Sequence, residues 1–446
     1  MAGAAKEEIT PVKGTLIGGD FVSFYARFIH DPLYAKSLVL KNGEKCFTII
    51  MLDLCIVPSD LMDEIKSLVT DSIGIAKEDI LLACTHTHGA PDVAGILGGA
   101  VDISYRKKLP SLVLKSVKKA NEKCRPAKIA SGKTMVSGHH MCRRYIMDEK
   151  YVANNPVRKN QDTIKTNPFG AHKQILRPNS VVDNEIGFIL IKGLDGKWIS
   201  TIANFASHYA GDWGVDTITA DFYGVFANEM RSNLSATEDF IGMLSYGTGG
   251  NVNTWDFSKS DQISKTDFKR ANLIGKTIAN AISESIKGLV WEENPTLEAK
   301  YKELKIPIQK PSNAEIVKAE SILEKNRINE IKLDAHGMSV LYAREQLLLN
   351  EYPEFHLASV QMMKIGSQLI GASGAELFTE TGLWLKRNLK NNFFTICLAN
   401  TYDGYVVPSH EMQKGGYETW RARSSFLKDG SENDIKMAML QLSKDL

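Results

Sequence analysis

Apolar and polar positions along this chain follow two rhythms, one of strands and one of helices. Short apolar runs at 37–41 and 46–53 flank Asn42-Gly43, a pairing that favours a tight turn, so the chain is predicted to open its sheet with a hairpin. Residues 58–69 place apolar side chains at helical spacing behind a capping residue, and 78–84 reads as a buried strand. A β-α-β unit therefore runs into the segment 81–91, Leu-Leu-Ala-Cys-Thr-His-Thr-His-Gly-Ala-Pro. Further strands are predicted at 186–191, 199–205 and 240–245, with a helix at 221–234 among them and an amphipathic helix at 266–286. The stretch 313–350, rich in Ala, Glu, Lys and Leu, predicts a pair of surface helices with solvated charges. Strands at 358–365, 368–372 and 393–398 then lead into a polar tail.

One region breaks both rhythms. From 137 to 178 the chain is polar, carries Asn154-Asn-Pro156 and Asn167-Pro-Phe-Gly170, and predicts a long ordered loop over the site. No internal repeat or low-complexity linker is visible. The expected fold class is α/β, with mixed β-sheets in the centre flanked by helices, organised as a single domain over 1–446.

Composition narrows the function. With 446 residues and 43% hydrophobic content the chain can bury a large core. A net charge of +2, with both signs interspersed, leaves no basic stripe, so nucleic acid is not an expected partner. No apolar run reaches the ~18 residues of a membrane-spanning helix, and residues 1–8 do not read as a signal peptide. A soluble protein is expected, periplasmic or secreted where a leader has been removed and otherwise cytoplasmic. Its six cysteines form no Cys-x-x-Cys pair and sit in apolar surroundings, which points to buried reduced thiols.

Five strand ends carry candidate chemistry. His86 and His88 are two apart at the exit of an apolar strand, a spacing that turns both rings to one face, and ligands of α/β sheets gather beyond such carboxyl ends. A buried histidine satisfied by carbonyl groups would need no metal. Yet His208 arrives in the same way, at the end of Ile-Ala-Asn-Phe-Ala-Ser-His. Zinc takes imidazole nitrogens and carboxylate oxygen, and Glu376 follows a Gly-Ala-Ser-Gly-Ala turn after the strand at 368–372. The competing reading of Glu376 is an acid at a helix N-terminus. Tyr402 and Tyr405 follow the last strand, and Tyr417 lies further on. The Gly-rich run 246–253, which includes Gly250, can approach a substrate or cradle a phosphate through its N–H groups.

In chain order, Ile29-His-Asp-Pro-Leu-Tyr-Ala35, Thr85-His-Thr-His88, Asn204-Phe-Ala-Ser-His208, Gly247-Thr-Gly-Gly-Asn251, Gly374-Ala-Glu376 and Ala399-Asn-Thr-Tyr-Asp-Gly-Tyr405 resemble the neutral/alkaline, non-lysosomal ceramidase family. The resemblance spans nearly the whole chain and the catalytic domain only, with no room for a C-terminal β-sandwich domain. It implies one Zn²⁺ held by His86, His208, Glu376 and Tyr405, with Tyr402 as the fallback for Tyr405. It further implies that His88 handles a proton and that Tyr417 lies near the substrate carbonyl. Where the family reads Gly-Asp-Val-Ser-Pro, this chain reads Gly250-Asn-Val-Asn-Thr254, so Asn253 cannot act as a hydroxyl nucleophile but can donate a hydrogen bond to a developing oxyanion or orient a hydroxylated substrate. Arg143 and Arg144 are expected to meet an anionic substrate. The resemblance implies a zinc-dependent hydrolase that cuts an amide or ester of a small molecule by metal-activated water, with Asn253 arguing against ceramide itself. Two other readings stay open: a carbohydrate-acting zinc enzyme, lyase or glycosidase, and a non-catalytic zinc-bearing binding protein.

Overall fold

The structure is a computed structural model that describes residues 1–158, 161–259, 267–328, 331–389 and 392–446. Its frame is three four-stranded sheets, each made the same way. The N-terminal sheet orders Ala2–Glu8, Tyr34–Asn42, Lys45–Leu52 and Ile80–Cys84. Its first three strands pair antiparallel, and the last pair is parallel because the helix Ser59–Ile73 crosses over between them. The central sheet repeats the scheme with Ala127–Met135, Glu185–Gly193, Trp198–Phe205 and, parallel to the latter beyond the helix Asp221–Asn233, Ile241–Tyr246. The C-terminal sheet does so again with Leu297–Pro307, Phe355–Ile365, Gln368–Ser373 and Asn392–Ile396, where the helix Thr379–Leu389 makes the crossover. Each sheet thus ends in one parallel pair whose strand ends point the same way, as ligand sites require.

Apolar runs longer than an alternating pattern arise because several strands are buried on both faces. Along Lys45–Leu52, Phe47, Ile49 and Met51 face one core while Ile50 and Leu52 face another. The first of these cores gathers Leu81 and Ala83 with Ile202 and Met243 of the central sheet and Ile370 and Phe394 of the C-terminal one. All three sheets therefore share one apolar interior, which fixes their strand ends relative to one another.

The hairpin turn lies where expected, with Gly43 at φ 59°. The expected helix at 266–286 is Lys269–Glu284, and Thr266 lies outside the described residues. Three expectations are corrected. The 137–178 region is not one loop: Ile164–Thr166, Arg144–Met147 and Ile175–Pro178 form a three-stranded antiparallel sheet, in strands too short to show a period. Of the two helices in 313–350, Ala335–Asn350 is no surface helix, because Val340, Leu341 and Leu349 are buried and Glu345 pairs with Arg423 at 2.7 Å. The polar tail contains the helix Ser431–Ser443, which buries Ile435 and Met439 in the N- and C-terminal sheets' common core. Among the described residues, no helix is long and apolar enough to cross a membrane.

Candidate metal centre and the cavities around it

His86 and His208 lie in turns beyond the N-terminal and central sheets, Glu376 and Tyr405 sit in a two-stranded sheet that follows the C-terminal one, and all four meet at one point. The strand before His86 stops at Cys84, so the histidine is placed by a turn rather than by the strand face. Thr85 N–H and His86 N–H donate to Leu52 and Leu54 carbonyls at 2.9 Å, and His86 takes φ 68°, a left-handed conformation costing about 1–2 kcal/mol outside glycine. The rings of His86 and His88 consequently stand nearly perpendicular, at 82°, yet both reach the same cavity. The two rings therefore share a cavity without sharing a strand face.

Glu376 and Tyr405 are matched by register. Ala375–Leu377 runs parallel to Gly404–Val406, with Glu376 opposite Tyr405. The two backbones approach so closely at Gly374 that a Cβ there would lie 2.3 Å from Thr401 Oγ1. This pairing sets Tyr405 beside Glu376; Tyr402 lines the same cavity, with its hydroxyl buried and without a partner.

Hydrogen bonding fixes which nitrogen of each ring is free. His86 Nδ1 lies 2.9 Å from the Cys55 carbonyl and His208 Nδ1 2.8 Å from the Gly249 carbonyl, so each Nδ1 donates its proton outward and each Nε2 presents a lone pair inward. Those lone pairs point at Glu376 Oε2, at 3.4 Å from His86 and 3.3 Å from His208. Three acceptors converge in a buried place, where a cation between them would be held by all three. A proton is a poor choice, because burial pushes both imidazoles down, with Arg143 adding to the effect. A metal ion fits: ligands about 2.0–2.1 Å from a tetrahedral Zn²⁺ stand about 3.3–3.4 Å apart. The same three residues form a grouping whose ligand atoms all lie within 4.8 Å of one another. Tyr405 Oη is 3.1 Å from His208 Nε2 and 3.2 Å from the Tyr417 hydroxyl. Burial pushes the Tyr405 phenol up, and the Arg143 guanidinium, donating to its oxygen at 3.1 Å, opposes that.

Another grouping, Glu380, His410 and Glu411, is built differently. Arg144 and Lys414 already pair with the Glu411 carboxylate and Asn179 donates to it, so its charge is satisfied.

The remaining sequence candidates divide. His88 lines the cavity, its ring stacked on Tyr209 at 3.8 Å, its Nε2 3.4 Å from His86 Nε2 and its Nδ1 without a partner. Burial, reinforced by His86, His208 and Arg143, pushes it well down, toward the neutral ring. Arg143 also lines the cavity, anchored by Glu418 at 3.1 Å and the Gly250 carbonyl at 2.6 Å. Arg144 is corrected: adjacent residues of an extended segment face opposite ways, and its side chain is fully buried in pairs with Glu418 at 2.8 Å and Glu411 at 3.0 Å. Gly250 is corrected too. A Cβ there would sit 2.6 Å from the Glu376 carbonyl, so it is a site of backbone packing behind the carboxylate and lines neither cavity. Asn253 faces a second, outer cavity, and its side-chain oxygen accepts Trp255 N–H at 3.2 Å. Sequence reasoning missed Asp20, Tyr209, Tyr246 and Glu418. Tyr246 ends a parallel strand with its hydroxyl 3.5 Å from Glu376 Oε2, a position the rule that found His208 would have caught.

The inner cavity opens to solvent and is lined by Arg143, Tyr402 and Tyr417 besides the histidines and Glu376. It meets the outer cavity at Asp20, Phe21, Asn167, Tyr209 and Tyr417, which line both.

No protein-family model matches the chain, and no curated protein matches it in sequence. Solved structures do. Neutral ceramidase from Pseudomonas aeruginosa matches over 100% of this chain and 74% of its own, at TM-score 0.72 and 14% identity. A ceramidase complexed with C2 matches over 99% of this chain and 74% of its own, at TM-score 0.71 and 14% identity. The chain has a neutral-ceramidase-like fold. The expected α/β class with mixed central sheets is therefore the observed one.

Proposed function

We propose that this chain is a zinc-dependent hydrolase that cleaves an amide or ester bond, with His86, His208, Glu376 and Tyr405 as metal ligands. One observation carries the reading: two imidazole lone pairs and a carboxylate oxygen converge at 3.3–3.4 Å in a buried cavity. The fold it shares with ceramidases supports hydrolysis as the reaction class. The four ligands are placed by turns and a two-stranded sheet that adjoin all three sheets, so 1–446 works as one catalytic unit.

Zn²⁺ in such a site supplies Lewis acidity toward a carbonyl and lowers the pKa of a water toward about 7. His88, held neutral by burial, takes the proton from the attacking water and returns it to the leaving group. Tyr417, its hydroxyl 3.2 Å from that of Tyr405, donates a hydrogen bond to the oxyanion that forms. Arg143 holds both phenols in place, its guanidinium lying 5.5 Å from the Tyr405 ring centre and 5.0 Å from that of Tyr417. Asn253, in the outer cavity, orients the substrate rather than meeting the reacting carbonyl.

The test is metal analysis of the purified chain together with a panel of amides and esters in ¹⁸O water. The expected result is about one zinc per chain, product labelled from solvent, and loss of both metal and turnover in His208→Ala. Protein that binds no zinc after reconstitution would overturn the reading, and an unlabelled, unsaturated product would replace hydrolysis with elimination.

A further inference from the structure

Asp20 is a carboxylate without a partner. The strand Leu16–Ile17 and the two glycines after it are tied to the turn beyond His88, with Gly18 N–H donating to the Ala90 carbonyl at 3.1 Å and Asp92 N–H to that of Leu16 at 2.8 Å. Gly19 then passes over the His88 ring at φ 105°, where a Cβ would stand 2.7 Å from His88 Nδ1 and 3.0 Å from Cys55 Sγ. Only glycine fits there, and its passage delivers Asp20 to the junction of the two cavities.

Three fully buried aspartates are satisfied, whereas Asp20 is part-exposed to the cavities. Asp92 accepts the N–H groups of Ala94 and Gly95, Asp221 accepts that of Ala210, and Asp53 pairs with Lys36 at 2.8 Å. Among the described residues, no N–H, hydroxyl or cation reaches the Asp20 carboxylate, and Lys165 and Lys259 of the outer cavity make no contact with it. Burial alone pushes it up to about 6, so it is still largely ionised at neutral pH. A carboxylate set where the two cavities meet, with no countercharge beside it, is placed to receive a ligand that brings a positive charge.

We propose that Asp20 receives the primary ammonium group of the amine that cleavage releases, on its path from the inner to the outer cavity. The inference rests on the hydrolase reading for its substrate class: an amide, whose cleavage by water yields a carboxylate and an amine that is protonated at neutral pH. An ester would deliver a neutral alcohol to the same carboxylate. The aromatic walls beside it, Phe21, Tyr209 and Tyr417, suit the apolar body of such an amine and the cation itself.

Calorimetry at pH 7.5 on the full, zinc-loaded chain tests this with phenethylamine and its neutral counterpart 2-phenylethanol. Wild type is expected to bind the amine at least tenfold more tightly than the alcohol. In Asp20→Asn and Asp20→Ser that preference falls below threefold, while alcohol binding, zinc content and melting temperature stay at wild-type values. An amine preference that survives both substitutions, or that wild type never shows, overturns the proposal. Because no turnover is needed, a chain that shows the preference but lacks zinc sinks the hydrolase reading alone.

Discussion

At the inner cavity each proposed ligand leaves a strand or the turn just beyond one, and both histidine ligands are pinned from behind, His86 by the Cys55 carbonyl and His208 by that of Gly249. The outer cavity is walled by short strands and turns, and it contains an unpartnered carboxylate, Asp20, and the amide of Asn253. The inner groups are held by the shared core of three sheets. The outer ones hang on the 137–178 segment and the 16–21 turn, which that core does not include. On the proposed reading, the chemistry sits on the part tied into that core and selectivity on the part outside it.

Breaking the inner side should have the largest effects. Glu376→Gln keeps the size but removes the charge, and is expected to cost zinc stoichiometry and lower kcat/KM by about 1,000-fold, near 4 kcal/mol, measured by metal analysis and steady-state kinetics. A stability test targets the ion-pair cluster behind it. Glu418 accepts from both Arg143 and Arg144 and is fully buried, so Glu418→Ala leaves two guanidinium groups short of a partner and should cost about 3–5 kcal/mol in urea unfolding.

The next test asks whether acid sensitivity belongs to the outer side. His140 is buried at the entry to the strand pair that carries Asn253, its Nε2 donating to the Asp183 carbonyl at 3.0 Å, and burial pushes it down to about 4 from 6.5. The folded state therefore refuses a proton that the unfolded chain accepts. Stability from this group is complete above pH 6.5, declines as pH falls from 6.5 to 4, and is then lost, to a total of about 3 kcal/mol. Urea unfolding of wild type and His140→Gln at pH 7.5 and 4.5 should show a smaller pH dependence in the variant, and equal slopes would exclude the assignment.

Within the catalytic chemistry, Tyr417→Phe should lower kcat about 10–100-fold with KM little changed, as expected for a donor used in the transition state. Asn253→Ala is the mildest test. It is expected to change KM by less than about tenfold and kcat by less than about threefold with zinc retained. A kcat loss as large as that of Tyr417→Phe would move Asn253 to the reacting carbonyl and erase the distinction between the two cavities.

How far the sequence could be read depended on the length scale of the signal. Runs such as 46–53 and 78–84, buried on both faces, announce themselves as strands, and the Asn42-Gly43 turn and the β-α-β unit follow from local rules. The three-stranded sheet within 137–178 escaped, because strands of three or four residues carry no measurable period. So did the helix Ser431–Ser443, whose five polar or charged residues in the first six obscure its apolar face.

What the sequence determined by itself was the residue types available for chemistry and their delivery to strand ends: His86, His88, His208, Glu376 and the two tyrosines are legible because backbone periodicity is a local property. Tertiary structure alone decided how they are used. Arg143 and Arg144 are adjacent in the chain, yet one lines the cavity and the other is locked between Glu411 and Glu418. Parallel register sets Tyr405, not Tyr402, beside Glu376. Asp20 gains its isolation only when the 16–21 turn closes over His88. Each of these outcomes depends on which distant groups end within about 3–4 Å of a side chain, a quantity set by packing between sheets and not encoded by spacing along the chain.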